Sequence, residues 1–270
     1  MKLGAVVSVL NQHTPPSLSE DWDNTGLLVE PCKKLEVSKI LLTNDLTEIV
    51  TSEAIQSKAQ LVIAYHPPIF SPIKRITQSS AKERILLDCI RHDIAIYSPH
   101  SSLDNIQGGL GDWMVTAFNG VGGTHEVSIL KPNPLKDTIG AGRRVTFSQK
   151  VPLDKCVELI KSFLGLKEVR LALPDLKEGV TQHVIGSVCM CPGSGASVLR
   201  GTSGDLYWTG ELSHHDVLDA ISKGKSVVLC EHSNTERGYL FLYRDALLEM
   251  LERKVEIIIS KTDKEPLSIV

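Results

Sequence analysis

Several things are missing from this 270-residue sequence, and each absence excludes a class of protein. No apolar run approaches the roughly 18 residues a membrane helix needs, so no membrane partner is expected. Neither charge is in excess, with 29 Lys and Arg against 32 Asp and Glu. The basic pairs Lys33-Lys34, Lys74-Arg75 and Arg143-Arg144 are scattered and form no phosphate-tracking stripe, so nucleic acid is not an expected partner. Cys32, Cys89, Cys156, Cys189, Cys191 and Cys230 lack the spacing of a disulfide scaffold, and the Cys189-x-Cys191 pair has no second pair to complete a zinc site. A reducing compartment follows: cytoplasmic, with the nucleus also open. No Arg/Ser-rich leader opens the sequence, which argues against mitochondrial import. What is present suits a globular protein, because 42% hydrophobic residues against 23% charged leave enough apolar side chains for a core.

Apolar β-branched runs alternate with helical patterns. Strands are predicted over 38–43, 61–65, 94–97, 184–190, 206–208, 226–230 and 255–259. Helices are predicted over 47–58, 81–91, 110–118, 153–163, 213–223 and 235–254. At the N-terminus Leu3, Val6, Val7 and Leu10 share one helical face. This alternation predicts an α/β fold of two related halves with mostly parallel strands. Between 124 and 180 the pattern weakens among prolines and glycines. The expected organisation is therefore an N-terminal half over 1–123, a connector over 124–180 and a C-terminal half over 181–270.

An internal repeat supports the two halves. Thr43-Asn44-Asp45-Leu46 opens a helix, a strand follows, and the segment closes on His66. Thr209-Gly210-Glu211-Leu212 opens another helix, and that segment closes on His232 after the same interval. Such a duplication would place two similar histidine-bearing strand ends face to face.

Ligands of open α/β sheets bind beyond the carboxyl ends of the strands, and three predicted strands end there in a histidine. His66 precedes Pro67-Pro68, His100 follows Ser98-Pro99, and His232 follows Glu231. Asp104 and Glu236 lie four residues beyond His100 and His232. Imidazoles with carboxylates suit zinc, iron, manganese or nickel. Two carboxylates able to bridge would allow two ions about 3.5–4 Å apart. Each residue also has a structural reading: Ser233-Asn234-Thr235-Glu236 is a capping box, and Asp104-Asn105 before Gly108-Gly109 reads as a turn. Cys191-Pro192-Gly193-Ser194-Gly195-Ala196 reads first as a tight turn, and as an anion cradle second. His214-His215 belongs to a helix face, and Gly140-Ala141-Gly142-Arg143 to a hairpin or turn, with Arg143 able to balance an anionic substrate.

At these residues the sequence resembles the Nif-three-like family, also called GTP cyclohydrolase type 2-like. The resemblance runs through Trp22-Asp23-Asn24-Thr25-Gly26-Leu27, Thr43-Asn44-Asp45, His66-Pro67-Pro68-Ile69-Phe70, His100-Ser101-Ser102-Leu103-Asp104, Gly142-Arg143, Gly193-Ser194-Gly195, Thr209-Gly210-Glu211 and His232-Ser233-Asn234-Thr235-Glu236. It implies an α/β protein of two related halves with a dinuclear metal site between them, assembled as a homo-oligomer. By position the implied metal ligands are His66, Asp104, His232 and Glu236, with His100 close by. The long central insert of many animal members is absent. Tyr65 stands where bacterial members carry the first of two histidines, and a phenol is a more reluctant ligand than imidazole at neutral pH. One or two divalent ions per chain (zinc, iron, manganese or nickel) therefore stay open, and Tyr65 is a candidate hydrogen-bond donor to substrate.

Two functions follow as expectations. The first is metal-dependent hydrolysis of a small phosphate-bearing or nucleotide-like substrate, with His100 as general acid or base. The second is a non-enzymatic metal-binding adaptor or co-regulator acting through transcription-related protein partners, as the family's name implies.

Overall fold

The computed structural model describes residues 1–32, 34–134, 136–174 and 183–270. In chain order its helices and strands are α1 (Leu3–His13), β1 (Gly26–Val29), β2 (Lys39–Thr43), α2 (Glu48–Gln56), β3 (Leu61–Ala64), α3 (Ala81–Arg91), β4 (Ala95–Ser98), α4 (His100–Asn105) and α5 (Leu110–Val115). There follow β5 (His125–Asn133), β6 (Lys136–Pro152), α6 (Leu153–Leu164), β7 (Arg170–Ala172), β8 (Val184–Ser194) and α7 (Ala196–Leu199). The chain ends with β9 (Leu206–Glu211), α8 (His214–Ser222), β10 (Ser226–Leu229), α9 (Tyr239–Met250) and β11 (Glu256–Ile259). Among the described residues no helix is long and apolar enough to cross a membrane.

The chain divides into two compact units, neither continuous in sequence. The first comprises Met1–Leu103 and Tyr239–Lys264, the second Asp104–Gly238 and Glu265–Val270. In the first unit the strand order is β1-β4-β3-β2-β11. The four strands from β4 to β11 run parallel and the edge strand β1 runs antiparallel to β4. Both β3 and β4 are buried along their whole length, the pattern of strands covered on both faces. One cover is provided by α2 and α3, whose Val50, Ala54, Ile85, Leu86 and Cys89 pack on Leu41, Val62 and Ile96.

In the second unit the order is β5-β6-β8-β9-β10-β7. Only β8, β9 and β10 are parallel; β5 pairs antiparallel with β6, β6 with β8, and β7 with β10. Both sheets are therefore mixed: the expectation of mostly parallel strands holds in the first, where four of five strands run parallel, and not in the second. Where the sequence pattern weakens, over 124–180, the described residues form the long β5–β6 hairpin, α6 and β7 of the second unit. The hairpin escaped the sequence pattern for a physical reason. Most β5 side chains are exposed, so no apolar run marks it. In β6, glycine is needed at Gly140, because at φ +143° a Cβ would collide with the Lys131 carbonyl of the partner strand. Gly140 therefore marks a close backbone approach rather than a loop. Arg143 is buried in this strand, paired with Asp112 and donating to the carbonyls of Gly140 (2.7 Å) and Gly142 (3.0 Å), so it is committed to the frame.

The sequence repeat has a structural counterpart. Helices α2 and α8 are each nine residues long and each joins two adjacent parallel strands, β2 to β3 and β9 to β10. Each is capped alike, the Thr47 hydroxyl accepting from the Val50 N–H and the Ser213 hydroxyl from the Asp216 N–H. All six cysteines are free, and burial pushes the thiols of Cys89, Cys156 and Cys230 up to about 12, so these serve as apolar core groups.

Candidate functional site

In the first unit the parallel pairing of β2 and β3 continues past the strand ends. The Tyr65 N–H donates to the Thr43 carbonyl at 2.9 Å and the His66 N–H to the Asn44 carbonyl at 3.0 Å. Those two bonds hold both loops in register, and they bring Asp45 Oδ1 to 2.8 Å from His66 Nδ1. One strand over, β4 ends at Ser98 and the chain turns through Pro99 into His100. There φ is +28°, a left-handed backbone that costs a non-glycine residue energy and that the surroundings must enforce. His100 Nδ1 lies 2.7 Å from Asp23 Oδ1. The Asp23 side chain has no exposed surface, and its other oxygen accepts from the Ser101 N–H at 3.0 Å and from the Ser101 hydroxyl. Burial by itself would raise the Asp23 carboxyl, but the hydrogen bond and charge of His100 and the two Ser101 donors outweigh it and hold it below the usual carboxylate range.

Tyr65 is buried, its ring centroid 5.0 Å from that of His66 and 5.4 Å from that of His100. Its main-chain carbonyl accepts the Ser98 hydroxyl at 2.8 Å. Here Tyr65 packs the two imidazoles and has little surface left for a ligand.

In the second unit the Cys230 N–H donates to the Thr209 carbonyl at 3.1 Å, again extending a parallel pair beyond the strand. His232 Nδ1 then lies 2.9 Å from Glu211 Oε1. On its other side His232 Nε2 lies 3.2 Å from Glu236 Oε1, and Glu236 is only 2% exposed. The capping-box reading of Glu236 does not hold. Ser233–Thr235 is a single 3-10 turn, α9 begins only at Tyr239, and Ser233 instead donates its N–H and hydroxyl to Glu265. The six residues read as a tight turn run along the end of β8 into α7. At Gly193, where φ is +57°, a Cβ would fall on the Glu236 carboxylate and 2.8 Å from His232 Nε2, so glycine is required. The Gly193 N–H donates to the Thr235 hydroxyl at 2.8 Å and is not offered to an anion.

All three strand-end histidines thus commit Nδ1 to a carboxylate: His66 to Asp45, His100 to Asp23, His232 to Glu211. A proton on Nδ1 lets the imidazole donate to its acid and leaves a lone pair on Nε2, the arrangement that orients metal-ligating histidines. Donors able to hold a metal ion are His66 in the first unit and His232 and Glu236 in the second. In the second unit, 3.2 Å suits two neighbouring ligands at metal distances of about 2.0–2.2 Å. The donor chemistry therefore fits a divalent ion. Asp104 lies half-buried on α4, and neither it nor His100 belongs to that donor group. Sequence reasoning missed the roles of Asp23, Asp45 and Glu211. For two of them a signal existed, since Asp45 and Glu211 occupy matching places in the repeat.

Comparison with known proteins identifies the family and the fold. The Duf34/NIF3 (NGG1p interacting factor 3) family model matches residues 1–266. The chain is 43% identical over 271 positions to NIF3-like protein 1 of Drosophila melanogaster, covering 98% of this chain and 88% of that protein. It is 39% identical to the protein NIF3 homolog of Schizosaccharomyces pombe, with 94% and 92% covered. Against NIF3-like protein 1 of Bos taurus it is 38% identical over 352 positions, with 100% and 93% covered, so that relative carries residues this chain lacks. Among solved structures, a Bacillus cereus protein related to NIF3 superposes with a TM-score of 0.87 at 20% identity, covering 100% and 99%. Reduced HcgD from Methanocaldococcus jannaschii gives 0.78 at 24%, covering 97% and 98%. At these identities the two structures share the fold. With a match to the family model over almost its whole length and relatives near 40% identity, the chain belongs to the Duf34/NIF3 family.

Proposed function

We propose that this protein is a divalent-metal-dependent hydrolase acting on a phosphate-bearing or nucleotide-like substrate. In this reading His66, Asp104, His232 and Glu236 are the metal ligands, as the family resemblance implies. The observation that carries the reading is the carboxylate on Nδ1 of both His66 and His232, because that pairing prepares Nε2 as a ligand. When bound, a divalent cation there would polarise the group under attack and bring the pKa of water toward neutrality.

The chain's own residues do the rest. Asp45 and Glu211 fix the ring planes and tautomers of His66 and His232. His100, outside the metal donor group and steered by an ionised, buried Asp23, takes up or releases the transferred proton at Nε2. Gly193 keeps the backbone close without crowding Glu236 and His232.

A second reading, a metal-binding adaptor without turnover, draws on the family's description as an interacting factor and on Tyr65, a buried phenol beside two imidazoles. Both readings meet in one experiment: metal per chain by plasma mass spectrometry for wild type and for Glu236→Ala, with turnover measured on a panel of phosphomonoesters, phosphodiesters and cyclic amides. Metal bound by wild type, lost in the variant and required for turnover supports the hydrolase. Metal bound with no turnover across the panel supports the adaptor. No metal in the wild type overturns both.

A further inference from the structure

Trp22 and Phe70 are exposed, 58% and 43% respectively, in a sequence with only three tryptophans and five phenylalanines. A large apolar ring left in water marks a site when it is also held still. Trp22 is held. Its neighbour Asp23 accepts from Ser101 and pairs with His100, and Asn24 Nδ2 donates to the Ile69 carbonyl at 2.5 Å, tying the Trp22 loop to the Phe70 loop. The Glu20 N–H donates to the Ser101 hydroxyl at 3.0 Å on the other side of Trp22. This frame sets the Trp22 and Phe70 ring centroids 6.0 Å apart, at 5.7 Å and 6.4 Å from the His100 ring. The one residue of this cluster with acid–base chemistry therefore lies beside two exposed aromatic rings, all within the first unit.

We propose that the exposed Trp22 ring, with Phe70 tilted 49° beside it as an edge contact, forms a stacking platform for a planar heteroaromatic ring, of the nucleobase class, on the molecule that reaches His100. A planar ring is the occupant that fits. It covers an aromatic face at little conformational cost, whereas an aliphatic chain would need a groove. In calling that molecule the substrate the assignment rests on the hydrolase reading, but ring binding can be tested without it.

Of the three tryptophans, Trp208 is fully buried and Trp113 packs at 4.5 Å on Phe163, so Trp22 is the exposed fluorescent reporter. The full chain is titrated with AMP and with ribose 5-phosphate, with and without added zinc, following tryptophan emission and the heat of binding. AMP should quench the emission and bind about tenfold or more tighter than ribose 5-phosphate. Trp22→Ala should remove the quenching and that advantage while keeping the metal content of wild type. Trp22→Phe should remove the quenching yet keep most of the advantage, which a merely structural role would not predict. Equal affinity for the two probes, no binding of AMP, or an unchanged advantage in Trp22→Ala overturns the platform. The two readings fail separately. A protein that binds none of zinc, iron, manganese or nickel yet prefers AMP through Trp22 retains the platform and loses the hydrolase, whereas one that binds metal and shows no preference loses only the platform.

Discussion

The histidine–carboxylate pair of the first unit and that of the second stand at matching places on the same strand–helix–strand plan, and in each the acid precedes its histidine by 21 residues. Their settings differ. In the first unit Thr43 is opposite Ala64 across the parallel pair, but in the second Thr209 is opposite Leu229, one residue earlier along the equivalent strand. His232 accordingly lies one residue farther beyond the paired end than His66. Two features take up that extra residue: Glu231 adopts a left-handed φ of +65°, and Glu211 reaches with one methylene more than Asp45. What the units added also differs. The first has a second pair, His100–Asp23, and the exposed aromatic rings. The second has the buried Glu236 and two glycines against the donors. The comparison teaches that the shared plan delivers an oriented imidazole, while the residues around it set each copy's chemistry.

Removing an imidazole is the largest perturbation of that comparison. His66→Ala and His232→Ala should each weaken zinc binding by more than the roughly 10–100-fold typical of losing an outer partner, measured by competition with a chromophoric chelator. If only one of the two does so, the copies are not partners in one function. Removing the acid behind each imidazole comes next. Asp45→Ala and Glu211→Ala should each cost about 10–100-fold in the same assay, and a clear inequality would show which copy depends more on its second partner.

The glycines give a smaller effect, on stability. Gly210 occupies the place of Asn44 in the repeat, but a Cβ on it would meet the Gly193 carbonyl at 2.7 Å and the His232 Cα at 2.8 Å. Gly210→Asn, which copies the first unit into the second, should lower stability by about 1–3 kcal/mol in a denaturant titration, as should Gly193→Ala. Wild-type stability in either variant would show that the second unit tolerates the first unit's residue. The smallest expected effect is the pH dependence from Asp23. Its carboxyl is lower in the folded chain than in the unfolded one, so the stabilisation is complete above about pH 5 and is lost as pH falls through the folded value. Asp23→Asn should therefore be less stable than wild type at pH 7, with the gap narrowing on acidification. A constant gap would mean that the carboxyl's charge contributes nothing.

Much of this was legible because burial leaves a periodic trace. The helix over Ala81–Arg91 is found where the apolar spacing predicts it, and β2, β3, β4, β10 and β11 lie within a residue or so of their apolar runs. The helix predicted from 235 begins instead at Tyr239. At Gly238 the chain passes so close to the Trp113 ring that a Cβ would lie 2.7 Å from it, and no local pattern reports that contact. The hairpin β5–β6 was invisible for the opposite reason, being mostly exposed at β5 and glycine-bearing at β6. At the site, the histidines could be named from their strand ends, but Asp23 could not be tied to His100 by position. The two residues are 77 apart in sequence and are joined only because the chain folds back on itself.

By itself the sequence determined the strand–helix–strand plan, its duplication and the three strand-end histidines, because apolar periodicity and proline stops are local properties. The tertiary structure decided which acid each imidazole faces, which glycines had to stay bare, and that β5, β6 and β7 join the second unit's sheet. Those outcomes depend on contacts between residues far apart in the chain, and no local pattern records which distant backbone will arrive.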